Sequence, residues 1–219
     1  MKIKLTLIAI GLCLFNCKQD GSQQDKVKLD YKHASRTQVI DCDGVDNTLI
    51  QEALFAFEDD ILNFYTPDKP IYSRAYSLFV SQSLTGVADY PKMVSEHSKQ
   101  VFEALKQDKS LWTTNPDGSR LNFNHPLFKC IGNEIADEPL SKTYNALIDT
   151  KSMSLRMFGD QLKRKTFGMK DDKYLATYVA LELFYGKLYD VDFNKQSKDD
   201  NYEENSGLKE HSSHDGHNH

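Results

Sequence analysis

Apolar residues recur at intervals of three and four along most of the chain between residues 39 and 194, which is the spacing of a buried helix face. In the first such stripe, Asp46 or Asn47 can cap a helix that carries Ile50, Leu54, Phe57, Ile61 and Phe64. Further helices are predicted from Tyr72 to about Gly86, Pro91 to Leu105, Pro126 to Ile135, Pro139 to Asp149, Ser152 to Thr166 and Asp171 to Tyr189. With no convincing sheet, the pattern predicts an all-α fold, a compact bundle of about six to seven helices.

Residues 111–123 interrupt this periodicity between two helices. Pro116 presets a turn and Gly118 accepts a positive φ, so the sequence predicts a small β-hairpin here. The segment is either a projecting recognition loop or a simple connector.

The last predicted helix is apolar on nearly every side and should be central. Glu182 is its only charge between Tyr174 and Gly186. A buried carboxylate needs a cationic or hydrogen-bonding partner, or its pKa rises. The arginines available in the body are Arg74, Arg120 and Arg156. Glu182 is therefore a candidate functional carboxylate, a general acid/base or a ligand-facing group, with a paired core carboxylate as the alternative.

The overall charge is −5, which gives no electrostatic case for binding nucleic acid. Residues 18–38 are polar and lack a hydrophobic period, as in a flexible tether. Residues 39–194 have the size of one domain with a real core. Apolar residues almost vanish in the acidic, histidine-rich stretch 195–219, which predicts a disordered tail.

The N-terminus has the pattern of an export signal. Lys2 and Lys4 precede an apolar run from Leu5 to Phe15, which is too short to span a bilayer but suits a signal peptide. The following Cys17 completes a stretch, LFNC, that resembles the lipobox of bacterial lipoproteins. The resemblance covers this segment alone, and no family is recognised for the mature domain.

The resemblance implies that residues 1–16 are removed as a signal peptide and that Cys17 carries lipid. It also implies a lipid-anchored tether over residues 17–38. Lys18, rather than aspartate, follows the cysteine, which implies an outer-membrane lipoprotein of the cell envelope on its periplasmic or surface face. The membrane is then a partner through lipid, since several acyl chains anchor a protein durably.

Two cysteines remain in the mature body, Cys42 and Cys130. An exported protein occupies an oxidising compartment where disulfides persist, so the two are predicted to pair. The alternative is two separate buried thiols.

The tail carries His211, His214, His217 and His219 together with Asp215. Imidazole is a good ligand for Zn²⁺, Cu²⁺ and Ni²⁺, so the tail is a candidate metal site suited to capture or buffering. The alternative is a solvated terminus without a selected ligand.

Other polar residues favour structural roles. His97 lies on the apolar stripe of the third predicted helix, and His125 directly precedes Pro126 at a helix start. A core histidine and a capping histidine explain them more simply than a metal or catalytic pair. The acidic stretch before Glu52 suggests calcium, but Asp46 occupies the position where an EF-hand loop requires glycine.

Three functions follow in order of preference. The first is a non-catalytic envelope lipoprotein that binds a protein partner or a small ligand. The second is metal capture by the histidine-rich tail. The third is an enzyme that uses Glu182, for which the chain offers no nucleophile motif or phosphate loop.

Overall fold

The computed structural model describes residues 29–193, and this part of the chain is all-α, as predicted. Seven helices precede a long C-terminal one: α1 Asn47–Tyr65, α2 Tyr72–Thr85, α3 Tyr90–Met93, α4 Glu96–Leu105, α5 Pro126–Glu134, α6 Glu138–Asp149 and α7 Leu155–Lys165. A short 3₁₀ turn, Thr166–Gly168, follows α7. We denote as α8 the continuous helix formed by Lys173–Val179, the π-helical stretch Ala180–Tyr185, and Gly186–Leu188.

The described chain thus has eight helices rather than the six to seven predicted, because the third predicted helix is two. Helix α3 ends at Met93, Val94 is extended, and Ser95 caps α4 by accepting a hydrogen bond from the amide of Ser98 at 3.2 Å. The break is held from α1, since Asp60 Oδ2 accepts the amide hydrogen of Ser95 at 3.0 Å. A tertiary contact therefore stabilises a boundary that local periodicity does not show.

The predicted hairpin at residues 111–123 does not form strands. The described residues contain one isolated antiparallel bridge there, between Trp112 and Leu121, and no strand. The chain does turn, with Gly118 at φ 83°. Backbone hydrogen bonds cross the turn from the amide of Thr113 to Arg120 O at 2.8 Å and from the amide of Asn115 to Ser119 O at 3.0 Å, but the pairing does not extend beyond the single bridge.

Helices α1 and α8 lie at the centre. Helix α1 contacts α2, α3, α4 and α8, and α8 also contacts α2 and α5. Their central contact is aromatic: the ring of Phe57 lies 5.8, 5.0 and 5.3 Å from those of Tyr76, Phe79 and Phe184. The burial of α8 agrees with its apolar sequence, whereas α1 also buries polar residues on the faces outside its apolar stripe.

The predicted disulfide is present. Cys42 and Cys130 are bonded with a Cα–Cα distance of 5.8 Å and close a loop with a sequence separation of 88. The bond joins the segment before α1 to α5. The alternative of two separate thiols is excluded by this geometry.

Residues 29–38, which the sequence places in the tether, lie against the helical body. We call them the strap. His33 is 7% exposed, and the amide of Val39 just beyond the strap donates to Gln51 Oε1 at 2.8 Å. The packing of the domain therefore reaches back at least to the strap.

No helix within residues 29–193 is both long and apolar enough to cross a membrane. The predicted signal peptide, Cys17 and the first part of the predicted tether lie outside the described residues, as does the chain from residue 194 onward.

Candidate functional site

The site begins with a carboxylate on the central helix. Glu52 lies on α1 and is 1% exposed. A buried carboxylate is costly unless hydrogen bonds satisfy its oxygens, so its neighbours define what it can do.

The strap supplies two of these hydrogen bonds through its backbone. The amide of Lys32 donates to Glu52 Oε1 at 2.8 Å, and the amide of His33 donates to Oε2 at 2.9 Å. The carboxylate thus holds a segment that has no regular secondary structure of its own.

Helix α4 supplies the third partner. His97 Nε2 lies 2.6 Å from Glu52 Oε1, and the imidazole is 7% exposed. A bare ring nitrogen and a carboxylate oxygen would repel at this distance, so a proton lies between them. His97 Nδ1 is buried and has no hydrogen-bond partner among the described residues.

Together these contacts build a cluster of three buried ligating side chains. One ligand atom each from His33, Glu52 and His97 lies within 4.8 Å of the other two. Burial lowers the pKa of His33 against the opposing influence of the Asp59 and Glu52 carboxylates. The lowered pKa favours the neutral imidazole, which is the form with a free lone pair.

Two members of the cluster, His33 and Glu52, line a cavity of about 280 Å³ between the strap and α1. The cavity is lined by His33, Ala34, Arg36, Gln38, Asn47, Thr48, Gln51 and Glu52. The positively charged side chain in this lining is Arg36. Its guanidinium lies 3.5 Å from Asp59 Oδ1 and 4.5 Å from the centroid of the Phe55 ring. The arrangement offers solvent a route to Glu52 and His33 from one side.

Two further buried carboxylates of α1 have structural partners. Glu58 Oε1 accepts from the hydroxyl of Tyr76 at 2.8 Å and from Lys173 Nζ at 2.6 Å. Asp60 accepts the amide of Ser95, and burial raises its pKa. These groups connect α1 to α2, α8 and the start of α4.

Glu182, the candidate carboxylate from the sequence, is 2% exposed within the π-helical stretch of α8. Its partner is Ser119, whose hydroxyl donates to Oε2 at 2.8 Å. Burial raises the pKa of Glu182 to about 7, because this hydrogen bond and the charge of Lys187 offset the desolvation only in part. Arg120 pairs instead with Asp190 at 2.6 Å.

One cavity lies beside the turn at residues 112–121 and has a volume of about 430 Å³. Its lining includes Asn115 and Asp117 but not Glu182, so this cavity does not give a substrate access to the carboxylate. Arg74 and Arg156, the other arginines considered as partners, are exposed. Glu182 therefore has the features of a hydrogen-bonded core carboxylate.

The remaining candidates fall in different places. His125 caps α5, with Nδ1 accepting the amide of Leu127 at 3.3 Å and Nε2 at 3.2 Å from Asp108, in agreement with the capping interpretation.

Two predicted sites lie outside the described residues: Cys17, and the tail with His211, His214, His217 and His219. His97 is buried as expected, but it contacts a carboxylate and approaches the ring of His33, with centroids 6.1 Å apart.

Sequence reasoning missed Glu52 and His33 as members of a site. Glu52 lies outside the apolar stripe of α1, and His33 lies in a polar stretch that carries no periodic signal. A usable signal was the charge content of α1, since a helix contacted on several sides must bury some of its carboxylates. For His33, no pattern in the neighbouring sequence indicates that the side chain is buried against α1.

No protein-family model, curated protein or solved structure significantly matches this chain.

Proposed function

We propose that this protein is a lipid-anchored, non-catalytic binding protein of the outer membrane of a Gram-negative envelope, with its ligand site where the strap meets α1 and α4. The lipobox-like sequence that ends at Cys17 supports the anchorage. The Cys42–Cys130 disulfide is in keeping with an oxidising compartment. An enzymatic role that uses Glu182 has less support. The hydroxyl of Ser119 already donates a hydrogen bond to Glu182 Oε2, and the glutamate side chain is buried.

The binding role rests on one observation: two imidazoles and a carboxylate, all buried, converge, and two of the three, His33 and Glu52, line a cavity. Polar groups that converge in a concave site are the usual mark of ligand recognition.

Anchorage is tested by expressing the full chain in a Gram-negative host and determining the mass of its N-terminal peptide. We expect an acylated Cys17 and recovery in the outer-membrane fraction. Substitution of Cys17 by serine should abolish acylation, while Cys13→Ser should leave it unchanged and serves as the control. An unacylated mature terminus or a cytosolic product would contradict the proposal.

The binding role is tested by native mass spectrometry of the purified chain. We expect a non-covalent mass on the wild-type protein that is absent from a His97→Ala variant. Cross-linking in native membranes is the parallel test for an envelope protein partner. No bound mass and no specific partner would count against a binding function.

The second candidate is metal capture by the tail, favoured by the spacing of His211, His214, His217 and His219. Such a site would take Zn²⁺, Cu²⁺ or Ni²⁺. Replacing these four residues by alanine in the full chain should lower the number of bound ions. An unchanged stoichiometry would remove this candidate.

A further inference from the structure

We propose that His33, Glu52 and His97 bind one divalent transition-metal ion of the zinc class, and that this ion fastens the strap to the helical body. The inference rests on the proposed ligand-binding role of the cluster and names the ligand.

The donor set matches this class of ion. Imidazole suits Zn²⁺ and its neighbours in the first transition row, and two histidines with one glutamate form a known three-ligand set that leaves a position open. Mg²⁺ and Ca²⁺ prefer shells of oxygen atoms, whereas two of the three ligands in this cluster are imidazoles.

Coordination requires small shifts in both directions: the closest pair of ligand atoms must separate, and any more distant pair must approach. Ligand atoms around tetrahedral Zn²⁺ lie roughly 3.3 Å apart, given Zn–N bonds of about 2.0–2.1 Å. In this cluster all pairs lie within 4.8 Å, and the closest defined pair, His97 Nε2 and Glu52 Oε1, is 2.6 Å apart. The ion would take the place of the proton between these two atoms, so binding should release a proton.

The surroundings favour a bound ion over an isolated charge. Asp59 Oδ2 lies 3.3 Å from His33 Nε2, and a carboxylate beside a ligating histidine holds the ring in orientation. The cavity beside Glu52 gives an entry path and room for a water molecule in the open position. Arg36 does not oppose the ion with a free charge, since Asp59 pairs with it.

The ligands come from three separate segments, so a bound ion would link these segments to one another. Glu52 lies on α1, His97 on α4 and His33 on the strap. The strap is held to Glu52 through the amides of Lys32 and His33. An ion shared by His33 and Glu52 would strengthen this attachment at the point where the chain leads toward the proposed lipid anchor.

The test is a Zn²⁺ titration of the full chain with His211, His214, His217 and His219 replaced by alanine, which removes the tail ligands. We expect one Zn²⁺ per chain, released protons, and no comparable binding of Ca²⁺. In the same background His33→Ala and His97→Ala should each weaken Zn²⁺ binding by at least about tenfold.

His125→Ala is the matched control, because His125 is equally buried and also faces a carboxylate, Asp108, but lies outside the cluster. It should retain Zn²⁺ binding. The inference is overturned if the tail-substituted chain binds no Zn²⁺ while its circular dichroism is unchanged, or if the His33 and His97 variants bind as tightly as the control.

Two measurements on the unaltered cluster keep the test independent of folding defects. X-ray absorption of the Zn²⁺-loaded, tail-substituted chain should show two imidazole nitrogens near 2.0–2.1 Å, and a shell of oxygen alone would contradict the site. Zn²⁺ should also slow amide hydrogen exchange at Lys32 and His33, and unchanged exchange would exclude the strap. If native mass spectrometry finds a bound mass but Zn²⁺ does not bind, the binding function stands and the metal inference falls.

Discussion

At the scale of single residues, the domain is notable for the carboxylates it buries. Glu52, Glu58, Asp60 and Glu182 are each 3% exposed or less. Their partners differ: backbone amides and an imidazole for Glu52, a lysine and a tyrosine for Glu58, a backbone amide for Asp60, and a serine for Glu182. Burial raises the pKa of Asp60, and it raises the pKa of Glu182 to about 7.

We expect Glu182→Gln to stabilise the protein at pH 8 but not near pH 5. The pKa of Glu182 is raised from 4.5 to about 7 in the folded state, so folding favours its protonated form. Stability is lost as the pH rises through this window, because the carboxyl of the unfolded chain releases its proton near pH 4.5 while the buried carboxyl retains it up to about pH 7. The full loss is roughly 3 kcal/mol, and the neutral amide avoids it.

Urea unfolding of both proteins at pH 5 and pH 8 measures this difference. Glu134→Gln is the control, because Glu134 is an exposed carboxylate and its replacement should change little at either pH. An equal effect of Glu182→Gln at the two pH values would show that Glu182 keeps an ordinary pKa.

At the scale of elements, close packing of neighbouring helices depends on specific small residues. Gly132 on α5 faces α6, and its carbonyl accepts hydrogen bonds from Ser141 Oγ at 2.6 Å and Asn145 Nδ2 at 3.0 Å. A Cβ at Gly132 would lie 2.0 Å from Asn145 Oδ1 and 2.8 Å from Tyr144 Cδ1. The two helices therefore approach more closely than a side chain at this position permits.

We expect Gly132→Ala to destabilise the protein by about 1–3 kcal/mol, the usual cost of overpacking. Helix propensity alone gives the opposite sign, since alanine is favoured over glycine by about 1 kcal/mol in a helix interior. Gly168→Ala is the control, because no atom lies within 4 Å of its added Cβ. Thermal unfolding distinguishes the two, and a stabilised Gly132→Ala variant would contradict the packing argument.

At the scale of the whole molecule, the disulfide joins distant parts of the chain. The loop between Cys42 and Cys130 contains the first four helices and the turn at residues 112–121. Closing a loop of this length restricts the unfolded chain, for which loop entropy predicts roughly 4 to 5 kcal/mol of stabilisation. The strap lies just before this loop, so the bond also holds the chain near the cluster.

We expect replacement of both Cys42 and Cys130 by serine to lower the free energy of unfolding by up to this amount. Urea unfolding of the variant, and of the wild-type protein with and without reductant, measures the loss. The reduced wild-type protein should resemble the double variant. Equal stability of oxidised and reduced protein would show that the bond contributes little.

Much of the fold could be predicted from local signals. The spacing of apolar residues identified the stretches that become α1, α2, α5, α6, α7 and α8, because a helix that packs on a core repeats its buried face every three to four residues. Of the two caps predicted for the first helix, Asp46 or Asn47, the structure has Asp46. Pro126 predicted the start of α5, which His125 caps. The division between α3 and α4 was missed, since Asp60 on another helix stabilises it.

The sequence by itself determined the all-α class, the central position of the last helix and the pairing of Cys42 with Cys130, because these depend on periodicity, composition and the number of cysteines. Only the tertiary structure decided that Ser119 would face Glu182 and that His33, Glu52 and His97 would meet. Those residues come from segments far apart in the chain. A buried polar side chain needs a hydrogen-bond partner, but the periodicity of the sequence does not indicate which distant residue provides it.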